Sequence, residues 1–173
     1  LHNKSDKKKL FNRIIYKSNH IPKKPVLLDL IKNGNYIAQS SVVVKKEILK
    51  KVNFLSEDNN NFGWEDFDTW IRCSMITDNF LNINKPLGYC WTGKGTISSL
   101  KQTLLNHKNF INQYRNLISD KFKLKPEKLW WVSYSILFYK YKFKKYKDTH
   151  FIFKEAYSSQ LKIKIRIIFL NLF

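Results

Sequence analysis

The chain has 173 residues, 32 basic against 13 acidic side chains, and a formal net charge of +19. Hydrophobic residues make up 43% and aromatic residues 16%, which excludes a disordered or collagen-like chain, because there is ample apolar surface to bury. This length allows one domain, or one domain with an appendage. Cys73 and Cys90 are too few for a disulfide framework and favour a reducing compartment. The first residue is Leu, and we expect the chain to be part of a longer protein.

The positive charge comes from 28 Lys and only four Arg. Abundant Lys, Asn, Ile, Phe and Tyr are typical of an AT-rich genome, so codon usage alone is one explanation. Attraction to an anionic membrane surface is another, since a charge of this size attracts polyanions. Nucleic acid is the least expected partner, because Arg is the residue that most often contacts phosphate and base edges.

The first half of the chain predicts short elements. Residues 1–25 are polar and basic, and we interpret them as a loop or a torn edge. Segment 26–32 predicts a short helix that stops at Asn33-Gly34, and the β-branched segment 36–44 predicts a buried strand. A second short helix is expected over 46–52, followed by an Asn-rich loop.

From Trp64 onward the pattern is mainly helical. Phe67, Trp70, Ile71, Ser74 and Met75 recur at helical spacing and predict one buried face. The later expected elements are short strands at 80–83 and 87–91, a helix over 98–120, a second helix from Pro126, a third over 149–160 and an alternating tail at 161–167. That tail fits either a strand or a helix on a membrane surface. No run of about 18 apolar residues occurs, so a spanning helix is not expected.

The polar residues are most concentrated in Glu65, Asp66 and Asp68, which lie between Trp64 and Trp70. Three carboxylates this close can perform acid–base chemistry or bind a metal. They can equally be acidic residues that favour the first turn of a helix, with Asp68 and Arg72 pairing on its outer face. Composition alone leaves both interpretations open.

The order of the segments adds information. The predicted strand contains Ser40-Ser41-Val42-Val43-Val44-Lys45-Lys46 and is followed by a short helix and Asn53-Phe54. Then come Glu65-Asp66-Phe67-Asp68-Thr69-Trp70-Ile71-Arg72 and Pro86-Leu87-Gly88-Tyr89. Over residues 26–98 this order resembles the C-terminal half of a glycosyltransferase family 2 catalytic domain. The resemblance implies an α/β fold, the acceptor-side part of a GT-A sheet, with a helical extension over 99–173 that would associate with a membrane.

The resemblance also implies roles for individual residues. Asp66 matches the catalytic base, and Glu65 would support it or touch the acceptor. Ser40 and Ser41 match a substrate-binding strand end. Trp64 offers a ring on which a sugar can stack, although it fits a core position equally well. Lys94, between two glycines, can meet a diphosphate or simply belong to a polar turn.

A donor-binding half is not recognisable in the chain. The family's nucleotide-sugar site ends in an Asp-x-Asp metal motif after an apolar strand, and Asp66-Phe67-Asp68 does not follow such a strand. We therefore expect Mn²⁺ or Mg²⁺ in the intact parent but none bound by this segment, which should be inactive alone. The expected parent is an inverting enzyme at the cytoplasmic membrane face, using a nucleotide-sugar donor and a saccharide or lipid-linked acceptor. The alternative is a non-enzymatic basic module that binds anionic membrane or nucleic acid.

Overall fold

The computed structural model describes residues 21–57, 63–83 and 100–142. Five α-helices follow one another along these segments. They are α1 (Val26–Asn33), α2 (Lys46–Lys51), α3 (Glu65–Ile76), α4 (Leu100–Asn116) and α5 (Trp130–Lys142). A π-helical turn continues α4 over Leu117–Lys121, and short 3-10 turns occupy Gln39–Ser41 and Pro126–Lys128.

The helix predictions are confirmed within these segments. Helices α1 and α2 match the segments predicted at 26–32 and 46–52, and α3 begins one residue after Trp64. Helix α4 with its π-helical turn covers most of the helix predicted over 98–120. Pro126 lies in the first turn of a 3-10 helix that leads into α5, consistent with its fixed φ and missing N–H.

The α/β fold prediction is wrong for the described segments, which contain helices and no strand. Segment 36–44, predicted to be a buried strand, contains the Gln39–Ser41 turn, and the Val43 side chain is fully exposed. Residues 80–83 have no regular structure, and Leu81 is 95% exposed. A strand needs a neighbouring strand to pair its N–H and C=O groups, and no described segment supplies one. The strand at 87–91, the helix over 149–160 and the tail at 161–167 lie outside the described residues.

One hydrophobic core joins four of the helices. Helix α1 packs on α3 and α5, and α4 packs on α5. The fully buried side chains of this core are apolar at nearly every position, as helical periodicity requires: Val26, Leu30, Ile31, Phe67, Ile71 and Ile118. Trp70 and Ile71 are core residues as predicted, whereas Met75 at the end of the predicted face is 47% exposed.

An aromatic cluster forms the centre of this core. The rings of Trp64, Phe67, His107, Phe110 and Trp131 lie with centroids 4.8 to 6.3 Å apart, mostly edge to face. Edge-to-face geometry suits aromatic pairs because the positive ring edge meets the negative face. Trp64 immediately precedes α3, Phe67 lies in its first turn, and the other rings come from α4 and α5, so the cluster packs the start of α3 against these two helices.

The division of the chain at residues 26–98 and 99–173 stays a prediction. Residues 1–20, in the expected basic loop, lie outside the described part.

Candidate functional site

Asp66 lies in the first turn of α3 and is half-buried. Its position at a helix start, predicted from the sequence, is confirmed. The Asn35 side-chain amide donates to both carboxylate oxygens, with Nδ2 3.2 Å from Oδ1 and 3.2 Å from Oδ2. The Phe67 backbone N–H also donates to Oδ1, at 2.6 Å. Among the described residues, Asp66 forms no ion pair, so no cation neutralises its charge there.

The pKa of Asp66 is raised above its ordinary value of 3.8. Burial is the main cause, because it disfavours the charged form, and the nearby Glu65 charge acts in the same direction. The hydrogen bonds from Asn35 and Phe67 oppose this shift by stabilising the carboxylate. A raised pKa makes the ionised group a stronger base than an ordinary exposed Asp.

Asp68, two residues later, has a different environment. It is only 6% exposed, and Arg72 Nε lies 2.8 Å from its Oδ2 in an ion pair one helical turn away. The Tyr114 hydroxyl and the Gln113 amide, at 2.8 Å, donate to Oδ1. The sequence predicted the Asp68–Arg72 pair, and the structure confirms it but places Asp68 inside rather than on an outer face. Asp68 therefore has a structural role, holding α3 against α4.

Arg72 extends this network to the loop after α2. Its guanidinium donates to the backbone oxygens of Val52 and Phe54. Asn53 and Phe54 both have left-handed backbone conformations, with φ of 58° and 56°. Asn is among the residues that adopt this conformation most readily, which explains its use at this turn.

Trp64 and Glu65 precede Asp66 and have different environments. Glu65 Oε2 is buried and has no hydrogen-bond partner among the described residues. Trp64 is half-buried and packs edge-on against Phe67 and His107, so much of its ring belongs to the aromatic cluster. Sugar stacking on Trp64 stays a prediction.

Two of the other predicted substrate residues, Ser40 and Ser41, have no contact with Asp66 in the described part of the chain. Ser40 and Ser41 are exposed in the Gln39–Ser41 turn, where the Ser41 hydroxyl donates to the Ala38 backbone oxygen at 2.8 Å. Lys94 lies outside the described residues. Substrate binding by these three residues stays a prediction.

The described residues do not fit the Mn²⁺ or Mg²⁺ expected for the parent. Asp66 and Asp68 have the required spacing, but Asp66 turns to Asn35 while the oxygens of Asp68 are already occupied by Arg72, Tyr114 and Gln113. Within residues 21–57, 63–83 and 100–142 no group of three or more His, Cys, Asp or Glu is placed to hold a metal ion.

Sequence reasoning missed Asn35 as a site residue. It lies 31 positions before Asp66 and outside every motif that was recognised. Its one local signal is the Asn33-Gly34 helix stop, which places Asn35 in the loop immediately after α1.

No helix in the described part of the chain is long and apolar enough to cross a membrane. Trp131, within the 99–173 segment that was expected to associate with a membrane, lies buried in the core. Comparison with known proteins gives no match: no family model, no curated protein and no solved structure is significantly similar to this chain.

Proposed function

We propose that this chain belongs to an inverting glycosyltransferase in which Asp66 is the general base. The proposal rests on the ordered motifs that resemble glycosyltransferase family 2 and on one structural observation. Of the two carboxylates in the Asp66-Phe67-Asp68 motif, Asp68 is enclosed by Arg72, Tyr114 and Gln113, whereas Asp66 has no cationic partner in the described residues. Asp66 is the one that can accept a proton from a substrate.

The proposed step is a direct displacement. An acceptor hydroxyl oxygen forms a bond to the anomeric carbon of the donor sugar, and the bond from that carbon to the nucleotide diphosphate breaks. The hydroxyl proton passes to Asp66, and the diphosphate leaves with the bonding electron pair. Because attack and departure occur on opposite faces of the sugar, the configuration at the anomeric carbon inverts.

The environment of Asp66 suits this role. A general base must be ionised, must lie within hydrogen-bond reach of the proton, and works best when its pKa approaches the working pH. Partial burial raises the pKa of Asp66, while its position in the first turn of α3 stabilises negative charge through the helix dipole. Glu65 immediately precedes Asp66, and its charge raises the pKa of Asp66, so it would support Asp66 as a base.

We propose the activity for a longer protein that contains this chain. The chain has no recognisable donor site, and its described residues do not fit a metal, so the nucleotide sugar would bind elsewhere in that protein. A saccharide acceptor, free or linked to a lipid, would meet Asp66.

The test is transfer by the longer protein, with UDP-glucose, UDP-N-acetylglucosamine and GDP-mannose as donors, Mn²⁺ or Mg²⁺, and a panel of saccharides. Mass spectrometry measures the added sugar. Asp66→Asn keeps the shape but removes the basicity, so transfer should fall by roughly 10²–10⁴-fold. Asp120→Asn makes the same chemical change at an exposed carboxylate in the π-helical turn and should leave transfer unchanged.

A stability measurement shows whether Asp66→Asn remains folded. A raised carboxyl pKa means that the folded chain resists ionisation of Asp66 more than the unfolded chain does. The neutral amide should therefore leave the free energy of unfolding at pH 7 unchanged or higher. Near-normal transfer by this variant would assign the base to another residue. If no donor supports transfer and the chain sediments with anionic vesicles or RNA, the basic-module alternative is favoured.

A further inference from the structure

We infer that Asn35 is a positioning residue for Asp66, one that holds both oxygens of the carboxylate and fixes the direction in which it meets a substrate. This inference rests on the proposed function of Asp66 as a base. Its geometric basis is the contact of one amide nitrogen, Nδ2, with both oxygens at 3.2 Å. Because Nδ2 lies at the same distance from both Asp66 oxygens, it restrains the rotation of the carboxylate as well as its position.

The orientation of the Asn35 amide is set by its other end. Asn35 Oδ1 accepts a hydrogen bond from the Ile37 backbone N–H at 3.3 Å, a local turn typical of Asn. An amide flipped by 180° would lose this bond and would set its oxygen against the Asp66 carboxylate. The arrangement therefore presents the NH₂ group, the only donor of the side chain, to Asp66.

The loop that carries Asn35 is attached to three helices. The Tyr36 hydroxyl donates to Asp29 on α1 at 2.7 Å, and Trp70 Nε1 on α3 donates to the Ile37 backbone oxygen at 3.2 Å. On the other side, Gly34 lies directly against the Trp131 ring of α5. Asn35 is exposed, but its backbone is held on both sides, so the amide has a defined position relative to α3.

Asn35 also acts on the ionisation of Asp66. Burial and the Glu65 charge raise the pKa of Asp66, and the hydrogen bond from Asn35 is the strongest influence that lowers it. Glu65 is the one charged side chain in the described segments whose charge shifts this pKa, and the Asn35 loop contributes no charge of its own there. Removing the Asn35 amide should therefore raise the pKa of Asp66, because burial and the Glu65 charge would lose their strongest opposing influence.

The experiment measures the Asp66 carboxyl directly, in the chain of 173 residues, by ¹³C NMR titration. The Asp66→Asn variant identifies the signal that belongs to Asp66. In Asn35→Ala the titration midpoint should move to higher pH, and in Asn35→Asp it should move further, because a second carboxylate then faces the first. The matched control is Asn33→Ala, which removes a neighbouring amide that bonds Asp29 at 2.8 Å instead of Asp66.

The same variants give a second measurement in the transfer assay of the longer protein. Losing a hydrogen bond to a charged group should reduce transfer about tenfold in Asn35→Ala and move the acid limb of its pH profile to higher pH. Asn33→Ala should leave that limb unmoved. A purely structural role for Asn35 would lower the rate without moving the limb.

The outcomes separate this inference from the proposed function. An unchanged Asp66 midpoint in Asn35→Ala, or an equal shift in Asn33→Ala, overturns the positioning role even if transfer depends on Asp66. A shifted midpoint in a protein that transfers no sugar supports the positioning role and contradicts the function.

Discussion

The pH dependence of stability should be governed in part by His107, a buried histidine on α4. It is 5% exposed, its ring packs edge-on against Trp64 at 4.8 Å and Trp131 at 5.0 Å, and its Nδ1 has no hydrogen-bond partner among the described residues. Burial lowers its pKa from 6.5 to about 4. The physical reason is that an imidazolium between these rings would lose its hydration without gaining an anion.

The direction of this pH dependence follows from the pH at which the folded and the unfolded chain each bind the proton. The unfolded chain protonates His107 as the pH falls through about 6.5, whereas the folded chain does so only near pH 4. Between these values the unfolded state binds more protons, so the free energy of unfolding decreases as the pH falls. The pKa difference of about 2.5 units, at 1.36 kcal/mol per unit, corresponds to roughly 3 kcal/mol lost between pH 7 and pH 4.

The assay is urea unfolding at pH 7, 6, 5 and 4, followed by tryptophan fluorescence, for the original chain and for His107→Phe. The phenyl ring keeps an aromatic side chain in the cluster but cannot bind a proton. Other groups titrate equally in both proteins, so the difference between the two curves isolates His107 and should change by roughly 3 kcal/mol across this range. Parallel curves, or an NMR midpoint for His107 near 6.5, would refute the burial argument.

Two further changes test how the site is held. Tyr114→Phe removes the hydroxyl that donates to buried Asp68 and should lower the free energy of unfolding by about 1.5–3 kcal/mol. This loss should be smaller in an Asp68→Asn background, and a double-mutant cycle measures the difference. A loss of the same size in both backgrounds would contradict the bond. Gly34→Ala should destabilise by more than Gly63→Ala. Both glycines have positive φ, 76° and 78°, but Gly34 has ψ of −169°, in a region that essentially only Gly adopts, and only at Gly34 does the new Cβ meet the Trp131 ring at 3.0 Å. Equal midpoints in urea for the two variants would contradict both the backbone and the ring argument.

Local patterns in the sequence predicted the helices because helical periodicity depends only on neighbouring residues. The spacing of Phe67, Trp70 and Ile71 placed one buried face on α3, and the four-residue spacing of Asp68 and Arg72 predicted their ion pair. The strand prediction at 36–44 was wrong because strand formation also depends on distant segments. β-branched composition favours a strand, but a strand exists only when another segment pairs with it, and none of the described segments does.

The candidate site was predictable in part. The acidic motif placed Asp66 at a helix start, and the structure has it there. The resemblance assigned the base to Asp66, and the four-residue spacing paired Asp68 with Arg72. The contacts of Asp68 with Gln113 and Tyr114 were not predictable, because these residues lie 45 and 46 positions away on α4. Asn35 was missed for the same reason, since its contact with Asp66 depends on how α1 packs against α3.

The aromatic cluster has a consequence for how this protein can be divided. Trp64, immediately before the acidic motif, rests on His107 and Phe110 of α4 and on Trp131 of α5. Truncation after residue 98 would keep every motif that resembles a glycosyltransferase but would remove all three of those rings. The minimal unit for expression or for transplanting the acidic motif therefore extends at least through Trp131.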